Sequence, residues 1–286
     1  MKGTAKGYAS YGPKPWLQTS WDARAAGNFI GGGMGGGLIV FASMSGTTGP
    51  ALTALLLSGL GLVGLGLLCV ALELGRPFRA FRVLRNPRTS WMAREAWAAM
   101  FLFPIGLVAA AGVADLAWAA AAFALVFVYC QARLLQAAKG IPAWREPLLK
   151  PLLVATGLTE GGGVFLMTAP FQGAATIATV MTFIALVIVR CAVWVAYRRS
   201  LRGGVAPQAR AALDNAGHVL LFAGTLLPLA LMAAAAFAGA FALPIAALAG
   251  LLAVFAGAWV KLVIVTRAGF NQGFALAHLP VRGARL

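Results

Sequence analysis

Eight apolar stretches, each close to the length of a membrane-spanning helix, dominate this sequence. A helix needs about 20 apolar residues to cross the hydrocarbon core of a bilayer. The alternating pattern of a membrane β-barrel does not occur, and 61% of the residues are hydrophobic while 10% are charged. We therefore expect an all-α integral membrane protein, a bundle of eight transmembrane helices. The stretches cover residues 25–44, 51–72, 95–113, 116–136, 148–168, 173–196, 214–236 and 243–265.

The distribution of positive charge predicts how the bundle is oriented. All 23 Lys and Arg residues, including Arg190 and Lys261, are assigned to the two terminal regions and to the second, fourth and sixth connections. The remaining connections contain only Asp115 as a charged residue. Because positively charged short loops stay in the cytoplasm, we expect both termini and the three long loops on the cytoplasmic side of a bacterial inner membrane. Basic residues placed in this way predict contact with membrane lipids rather than with nucleic acid.

The predicted organisation has three parts. Residues 1–24 form a cytoplasmic N-terminal segment, 25–265 the eight-helix domain and 266–286 a cytoplasmic C-terminal tail. Residues 1–23 lack the short apolar core of a signal peptide, so we expect no cleaved leader. Seven of the eight Trp residues lie near the predicted cytoplasmic face. An interfacial aromatic belt and a docking surface both explain them, and the choice stays open.

The glycine run at residues 31–37 (GGGMGGG) resembles a phosphate loop only superficially. It lacks the Lys-Ser/Thr ending of a nucleotide-binding loop, and its glycines recur one turn apart in an apolar helix. We expect them to permit close helix packing. The same explanation applies to Gly161, Gly162 and Gly163, although backbone there, next to Glu160, is also open to approach by a ligand.

Metal centres within the chain are not predicted. The three cysteines lie in apolar segments without a CxxC pair, and only His218 and His278 are available as haem ligands. A bis-histidine haem is therefore not expected. Without a haem, electrons have no route across the bundle and must arrive and leave on one side.

The connection after the second helix carries the most informative pattern. Arginines recur at positions 76, 79, 82, 85 and 88, and the acids Glu73 and Glu95 flank them. Carboxylates at membrane depth are costly unless they are paired or used. Structural ion pairs and a site that handles protons and a polar ligand both remain open. Deeper in the membrane, Glu160 and Arg190 are expected to pair, with either a structural or a functional role.

Two segments of this region resemble a known family. Residues 73–81 (ELGRPFRAF) and 89–95 (TSWMARE) resemble the His-Leu-Gly-x-Pro-x-Arg-Ala and Ser-x-x-x-Glu patterns of the DmsC family at the same separation. That family, related to the NrfD anchors, comprises membrane anchor subunits of molybdopterin oxidoreductases. Residues 141–147 (IPAWREP) resemble its Pro-x-Trp segment. Residues 16–38 are similar to the membrane-subunit family of phenylacetyl-CoA:acceptor oxidoreductases.

The resemblance implies a quinone site near the cytoplasmic interface. Position by position it assigns Arg79 to the quinone headgroup and Glu95 to proton exchange. Arg76, in the same loop, is also expected to bind the headgroup. The family's His is Glu73 here, which can bond a quinone carbonyl only as the acid, or accept a proton from a quinol. Trp91 and Trp97 are expected to line the ring slot.

The resemblance also implies cofactors and partners. Ubiquinone or menaquinone would react at this chain, while molybdopterin and iron–sulfur clusters would belong to partner subunits. Those partners are an iron–sulfur protein with four-cysteine clusters and a molybdopterin catalytic subunit, both on the cytoplasmic face. A cytoplasmic catalytic module implies a substrate such as a coenzyme A ester. The alternative is an ion- or proton-translocating subunit or transporter that uses Glu160 and Arg190 as a relay.

Overall fold

A computed structural model describes residues 13–72, 82–172, 175–201 and 204–274. Within these ranges the chain is almost entirely helical, and the β-pairing they contain is the isolated bridge Leu17–Phe270. Eight helices are long and apolar enough to cross a membrane. The prediction of an all-α, eight-span membrane protein is confirmed to that extent, whereas the side on which the termini lie stays a prediction.

Six of the eight spans are single helices. The eighth, Gly239–Thr266, adds a short 3-10 helix (Gly239–Phe241) before its α-helix, and the seventh is a composite of three segments. The composite span, Pro207–Ala235, consists of α8 (Pro207–Leu221), a π-helical turn (Phe222–Leu226) and α9 (Leu227–Ala235). A short helix, α5 (Pro142–Arg145), lies in the connection after the fourth span. The other helices are α1 (Ala23–Met44), α2 (Gly49–Ala71), α3 (Trp91–Ala110), α4 (Leu116–Gln136), α6 (Leu149–Gln172), α7 (Ile177–Ser200) and α10 (Ala242–Thr266).

Local sequence explains two boundaries that differ from the predicted ones. The third span begins at Trp91 rather than at residue 95, because the Ser90 hydroxyl caps it and accepts a hydrogen bond from Ala93 N at 3.3 Å. The seventh span begins at Pro207 rather than at residue 214. Proline is favourable in the first helical turn, and the polar residues that follow it are helical although hydropathy does not mark them as membrane-spanning.

The helix α1 lies at the centre of the bundle and contacts α2, α4, α6, α7 and α10. Its glycines explain how so many neighbours fit. A Cβ atom at Gly37 would lie 2.5 Å from the backbone oxygen of Gly157 in α6, and one at Gly31 would lie 2.7 Å from that of Leu62 in α2. These distances are too short for any side chain. The prediction that the glycine run permits close helix packing is confirmed.

The second glycine cluster also packs against backbone and aromatic atoms. Gly161 faces Gly37, Gly162 faces the ring of Phe41, and Gly163 faces the backbone of Gly250 in α10. All three are buried. Helix packing therefore accounts for them, and their backbone is not open to a ligand at these contacts.

Both described ends of the chain meet at one end of the bundle. Gln18 N donates to the Gly269 carbonyl at 3.0 Å, and Asn271 N donates to that of Trp16 at 3.0 Å. Because eight successive spans return the chain to its starting side, the connections after the second, fourth and sixth spans lie there too. We call this side the basic end and define it by residues 13–22, 82–90, 137–148, 201, 204–206 and 267–274.

The expectation that every basic residue belongs to this side needs correction at two positions. Arg190 and Lys261 are buried within α7 and α10. Both sit more than one turn inside their helices, and both make polar contacts with the bundle interior. Hydropathy alone missed this because neither charge interrupts a long apolar run.

Close packing of α1 generates a stability prediction. We expect G37L to lower the free energy of unfolding by at least 1–3 kcal/mol, as overpacked sites typically do, because its side chain would meet α6 backbone that has no flexible end to move. G61L is the matched control, since Gly61 is also in a membrane helix but has open space around it. Thermal unfolding of the two variants in detergent measures the difference. Equal midpoints would contradict the role assigned to Gly37.

Candidate functional site

A buried carboxyl group marks the candidate site. Glu95 lies in the first turns of α3 and its residue surface is 4% exposed. The side-chain amide of Asn28, from α1, donates to Glu95 Oε1 at 3.1 Å. A carboxylate removed from water requires such donors, because an unpaired one is very costly.

A third polar side chain completes this group. Gln131, from α4, is buried and donates from Nε2 to the backbone carbonyl of Asn28 at 2.9 Å. Its amide also interacts with Glu95. The absence of a side chain at Gly32 makes this possible, since a Cβ there would collide with the Gln131 amide. We call Asn28, Glu95 and Gln131 the amide–carboxyl cluster.

A largely apolar cavity of about 310 Å³ opens beside this cluster. Glu95 and Asn28 supply its polar wall, and Asn28 Oδ1 is buried without a hydrogen-bond partner among the described residues. Pockets of this size and character bind small molecules that carry a few polar groups. The other lining residues are Ser20, Trp21, Ala25, Phe29, Leu67, Val70, Met92, Ala96 and Leu134.

Aromatic rings stabilise one wall of the cavity. Trp21 stacks on Phe29 with ring centroids 5.9 Å apart, and it also contacts Trp144 at 5.2 Å. The Trp144 indole is fixed in turn by donating to the Ile264 carbonyl at 2.8 Å. The wall is therefore held by the N-terminal segment, α1, α5 and α10 together.

The residues proposed from the sequence are distributed differently. Glu95 lines the cavity, but Trp91 and Trp97 do not. Trp97 donates from its indole to the Leu84 carbonyl at 3.1 Å, and Trp91 faces a separate cavity. Met92 and Ala96 line the slot beside Glu95 instead. The three remaining residues, Glu73, Arg76 and Arg79, lie outside the described residues.

A second polar cluster lies deeper, on the other side of α1. Lys261 Nζ donates to Glu160 Oε2 at 2.5 Å and to the Phe29 carbonyl at 2.8 Å. Both side chains of this ion pair are almost fully buried. The expected Glu160–Arg190 pair is therefore wrong: the hydrogen-bonded partner of Glu160 is Lys261. Gly257 makes the room, since a Cβ there would lie 2.6 Å from Glu160 Oε1.

The buried Arg190 is held by backbone oxygens. Its guanidinium donates to the Ala253 carbonyl at 3.0 Å and to the Gly224 carbonyl. Gly224 is four residues before Pro228, and proline has no N–H to complete the helical hydrogen bond at that place. The carbonyl is thus available to Arg190, which remains close enough to Glu160 to interact with it electrostatically.

One turn of α1 joins the two clusters. The side chain of Asn28 serves the amide–carboxyl cluster, while the carbonyl of the next residue, Phe29, serves Lys261. A Cβ at Gly33 would collide with Lys261 Nζ, just as one at Gly32 would collide with Gln131. The glycine run therefore accommodates polar side chains as well as helix backbones.

Sequence reasoning missed Asn28, Gln131 and Lys261. Asn28 and Gln131 carry amides inside apolar stretches, and polar groups there are retained only where they find partners. The cost of burying a polar group in the membrane was considered only for charged residues. Lys261 was assigned to the C-terminal region because it lies near the end of its apolar stretch.

Neither the known family models nor the curated protein sequences match this chain. The similarity to the DmsC family therefore depends on the short motifs quoted above. Half of the principal motif, residues 73–81, is outside the described residues. The candidate site must accordingly be judged on its own chemistry.

The ion pair generates a second stability prediction. We expect E160Q and K261M each to lower the free energy of unfolding by about 3–5 kcal/mol, because either leaves a buried charge without its partner. The double variant E160Q/K261M should recover most of that loss. D214N is the control, since Asp214 pairs with Arg198 at a half-exposed position and such pairs contribute about 0–1 kcal/mol. Thermal unfolding in detergent measures all four variants, and a double variant as unstable as the sum of the singles would contradict the pairing.

Proposed function

We propose that this chain is the membrane anchor and quinone-reactive subunit of a molybdenum and iron–sulfur oxidoreductase. It would exchange electrons between a docked iron–sulfur subunit and the quinone pool. The oxidised substrate would be a coenzyme A ester such as phenylacetyl-CoA, handled by a separate molybdopterin subunit. The motif similarity suggests the enzyme class, and the cavity beside Glu95 is the observation that carries the quinone assignment.

The chemistry of the cavity suits a quinone ring. Interconversion of quinone and quinol transfers two electrons and two protons, so a site needs an apolar slot, a hydrogen-bonding group and a proton-exchanging group. The apolar lining supplies the slot. The unpartnered Asn28 Oδ1 is an acceptor for a quinol hydroxyl, and the Glu95 carboxylate can take up a proton. A quinone carbonyl would instead need a donor, which the protonated Glu95 supplies.

The position of the cavity supports one-sided electron exchange. Glu95 is five residues from Ser90, which caps α3 at the basic end, and Ser20 and Trp21 of the N-terminal segment reach the same cavity. A partner docked on the basic end would be near the quinone. The positive surface there suits an acidic docking face, since complementary charge accelerates association.

Substitution of Glu95 tests the proposed chemistry. We expect E95Q to reduce electron exchange with a soluble quinone analogue by about 100-fold, as loss of a proton-transferring group typically does, while assembly is preserved. D115N is the matched control, because Asp115 is an exposed carboxylate at the opposite end of the bundle. Turnover of quinone by the purified complex is the measurement. A normal rate in E95Q, or an equal loss in D115N, would refute the assignment.

Orientation is a separate part of the proposal. The basic end would face the cytoplasm of a bacterial inner membrane, because positive short loops are retained there. In a chain whose own three cysteines are replaced by serine, we expect R88C to react with a membrane-impermeant thiol reagent only after cells are opened. D115C should react in intact cells. The reverse labelling pattern would place the proposed partners on the wrong side.

The buried Glu160–Lys261–Arg190 cluster favours a second candidate, an ion- or proton-translocating subunit. Three ionisable side chains inside a membrane bundle are costly, and such groups often mark ion pathways. Proton uptake by vesicles containing the E160Q/K261M variant separates the two roles. If the folded variant moves protons as the wild-type protein does, or if the wild-type protein moves none, the cluster is a structural contact between α1, α6 and α10. Loss of proton movement with quinone turnover intact would favour the second candidate.

A further inference from the structure

A cavity of about 610 Å³ at the basic end has no part in the proposed quinone chemistry. It lies between the start of α3, the end of α4 and the connection to α5. Its lining includes three cationic side chains, and no carboxylate occurs among its described lining residues. The lining residues are Trp91, Arg133, Gln136, Ala137, Lys139 and Arg145.

Two of the cations of this cavity, Arg133 and Arg145, are held in place without being neutralised. The guanidinium of Arg133 lies 4.5 Å from the centre of the Trp91 ring, and that of Arg94 lies 4.1 Å from it. Arg133 Nε is buried and has no hydrogen-bond partner in the described ranges. Arg145 donates to a neutral group, the Gln272 amide oxygen, at 3.1 Å. The ion pairs found in the described parts of the chain all involve other residues.

An exposed stripe on α4 leads from the apolar part of the bundle into this cavity. Val126 is 50% exposed and Tyr129 is 45% exposed, and Arg133 and Gln136 follow at helical spacing on the same face. Tyr129 contacts the Trp91 ring edge-to-face at 6.0 Å. Along this face the surface thus changes from aliphatic to aromatic to cationic within about three turns.

This order matches the order of chemical groups in a phospholipid. Acyl chains contact aliphatic side chains, amphipathic rings lie at the headgroup boundary, and phosphate oxygens accept charge-assisted hydrogen bonds from Arg and Lys. Basic pockets between membrane helices bind anionic headgroups for this reason. A soluble acidic partner would satisfy the cations but would not reach the apolar stripe.

We propose that this cavity binds one anionic phospholipid. Its phosphate would contact Arg133, Lys139 and Arg145, and one acyl chain would follow Tyr129 and Val126. Trp91 orients Arg133 toward the phosphate. This site is distinct from the Glu95 cavity and does not depend on the proposed quinone chemistry.

A second basic cavity shows why the lipid assignment is specific to this one. It lies between α7 and α8 and is lined by Arg198, Arg199, Arg210 and His218, but also by Asp214. Asp214 forms an ion pair with Arg198. Part of the positive charge there is already compensated within the protein, so the need for an external anion is smaller.

Retention of lipid by the purified protein tests the proposal. The full chain, with any subunits that copurify, would be extracted in a mild detergent, exchanged into phosphatidylcholine–detergent micelles, and titrated with phosphatidylglycerol under native mass spectrometry. We expect one phosphatidylglycerol to bind in preference to phosphatidylcholine. The R133Q/K139Q/R145Q variant should bind it at least about tenfold more weakly, since each basic residue near a headgroup contributes to affinity.

Two further variants make the result specific. R82Q/R85Q/R88Q removes the same charge from three exposed positions at the same end and should leave the tightly bound lipid in place. K139Q/R145Q changes only exposed side chains, so it tests the site even if loss of Arg133 from the Trp91 ring impairs folding. It should weaken binding severalfold.

Several outcomes would overturn the proposal. Equal loss of lipid in R82Q/R85Q/R88Q would mean that general surface charge, and not this cavity, holds the lipid. If inorganic phosphate alone raises the thermal unfolding midpoint as much as phosphatidylglycerol does, the site binds free phosphate rather than a lipid. Unchanged lipid binding in K139Q/R145Q, together with loss of a copurifying subunit, would identify the cavity as a protein docking surface.

Discussion

The close approach of other elements to the backbone of α1 is the constraint on which the rest of this structure depends. A helix with glycine at six of seven consecutive positions has little side-chain surface of its own, so its neighbours must supply the packing. Helix backbones of α2 and α6 fill some of these places, and the side chains of Gln131 and Lys261 fill others. In a membrane, where lipid tails are as apolar as leucine, such contacts replace the hydrophobic effect as the source of helix association.

This arrangement has a chemical consequence. A bulky central helix would have kept the polar groups of α4 and α10 away from its backbone, and no carbonyl of α1 would have been reachable. Because the glycines open that space, Lys261 reaches the Phe29 carbonyl and Gln131 reaches the Asn28 carbonyl. These contacts fix Asn28 in the position from which its amide binds Glu95. The packing of α1 and the polarity of the candidate site are therefore one structural feature.

The sequence was sufficient to predict the membrane-spanning helices, but not which side chains form contacts between them. The apolar stretches predicted all eight spans, because the length needed to cross a bilayer leaves a strong pattern in one dimension. Spacing also predicted that Gly31, Gly35 and Gly37 face other helices. The ends were less predictable, since the start of the seventh span is polar and its helix begins at Pro207, a residue favoured in the first turn, rather than where hydropathy rises.

Pairings between helices required three-dimensional information. Glu160 was expected to bond Arg190, the nearest strong cation on an adjacent span, but α10 brings Lys261 against it and Gly257 leaves the space. Glu95 was identified from charge and motif, whereas Asn28 and Gln131 were not. A neutral amide in an apolar stretch is a weak signal until the partner helix is known. Trp91 and Trp97 were assigned to a slot by proximity in sequence. Trp97 points away from Glu95 around the helix, and Trp91, one turn before Glu95, lines the neighbouring cavity.

The first two turns of α3 contact two separate cavities. Met92, Glu95 and Ala96 face the cavity that we assign to a quinone ring, while Trp91 faces the cationic cavity that we assign to a phospholipid. Residues 91 and 95 are one turn apart, yet their side chains line different cavities. A lipid bound at Trp91 would therefore be close to the candidate quinone site without entering it. The end of α4 lines both cavities as well, since Leu134 contacts the first and Arg133 and Gln136 the second. The start of α3 and the end of α4 therefore both connect the two sites.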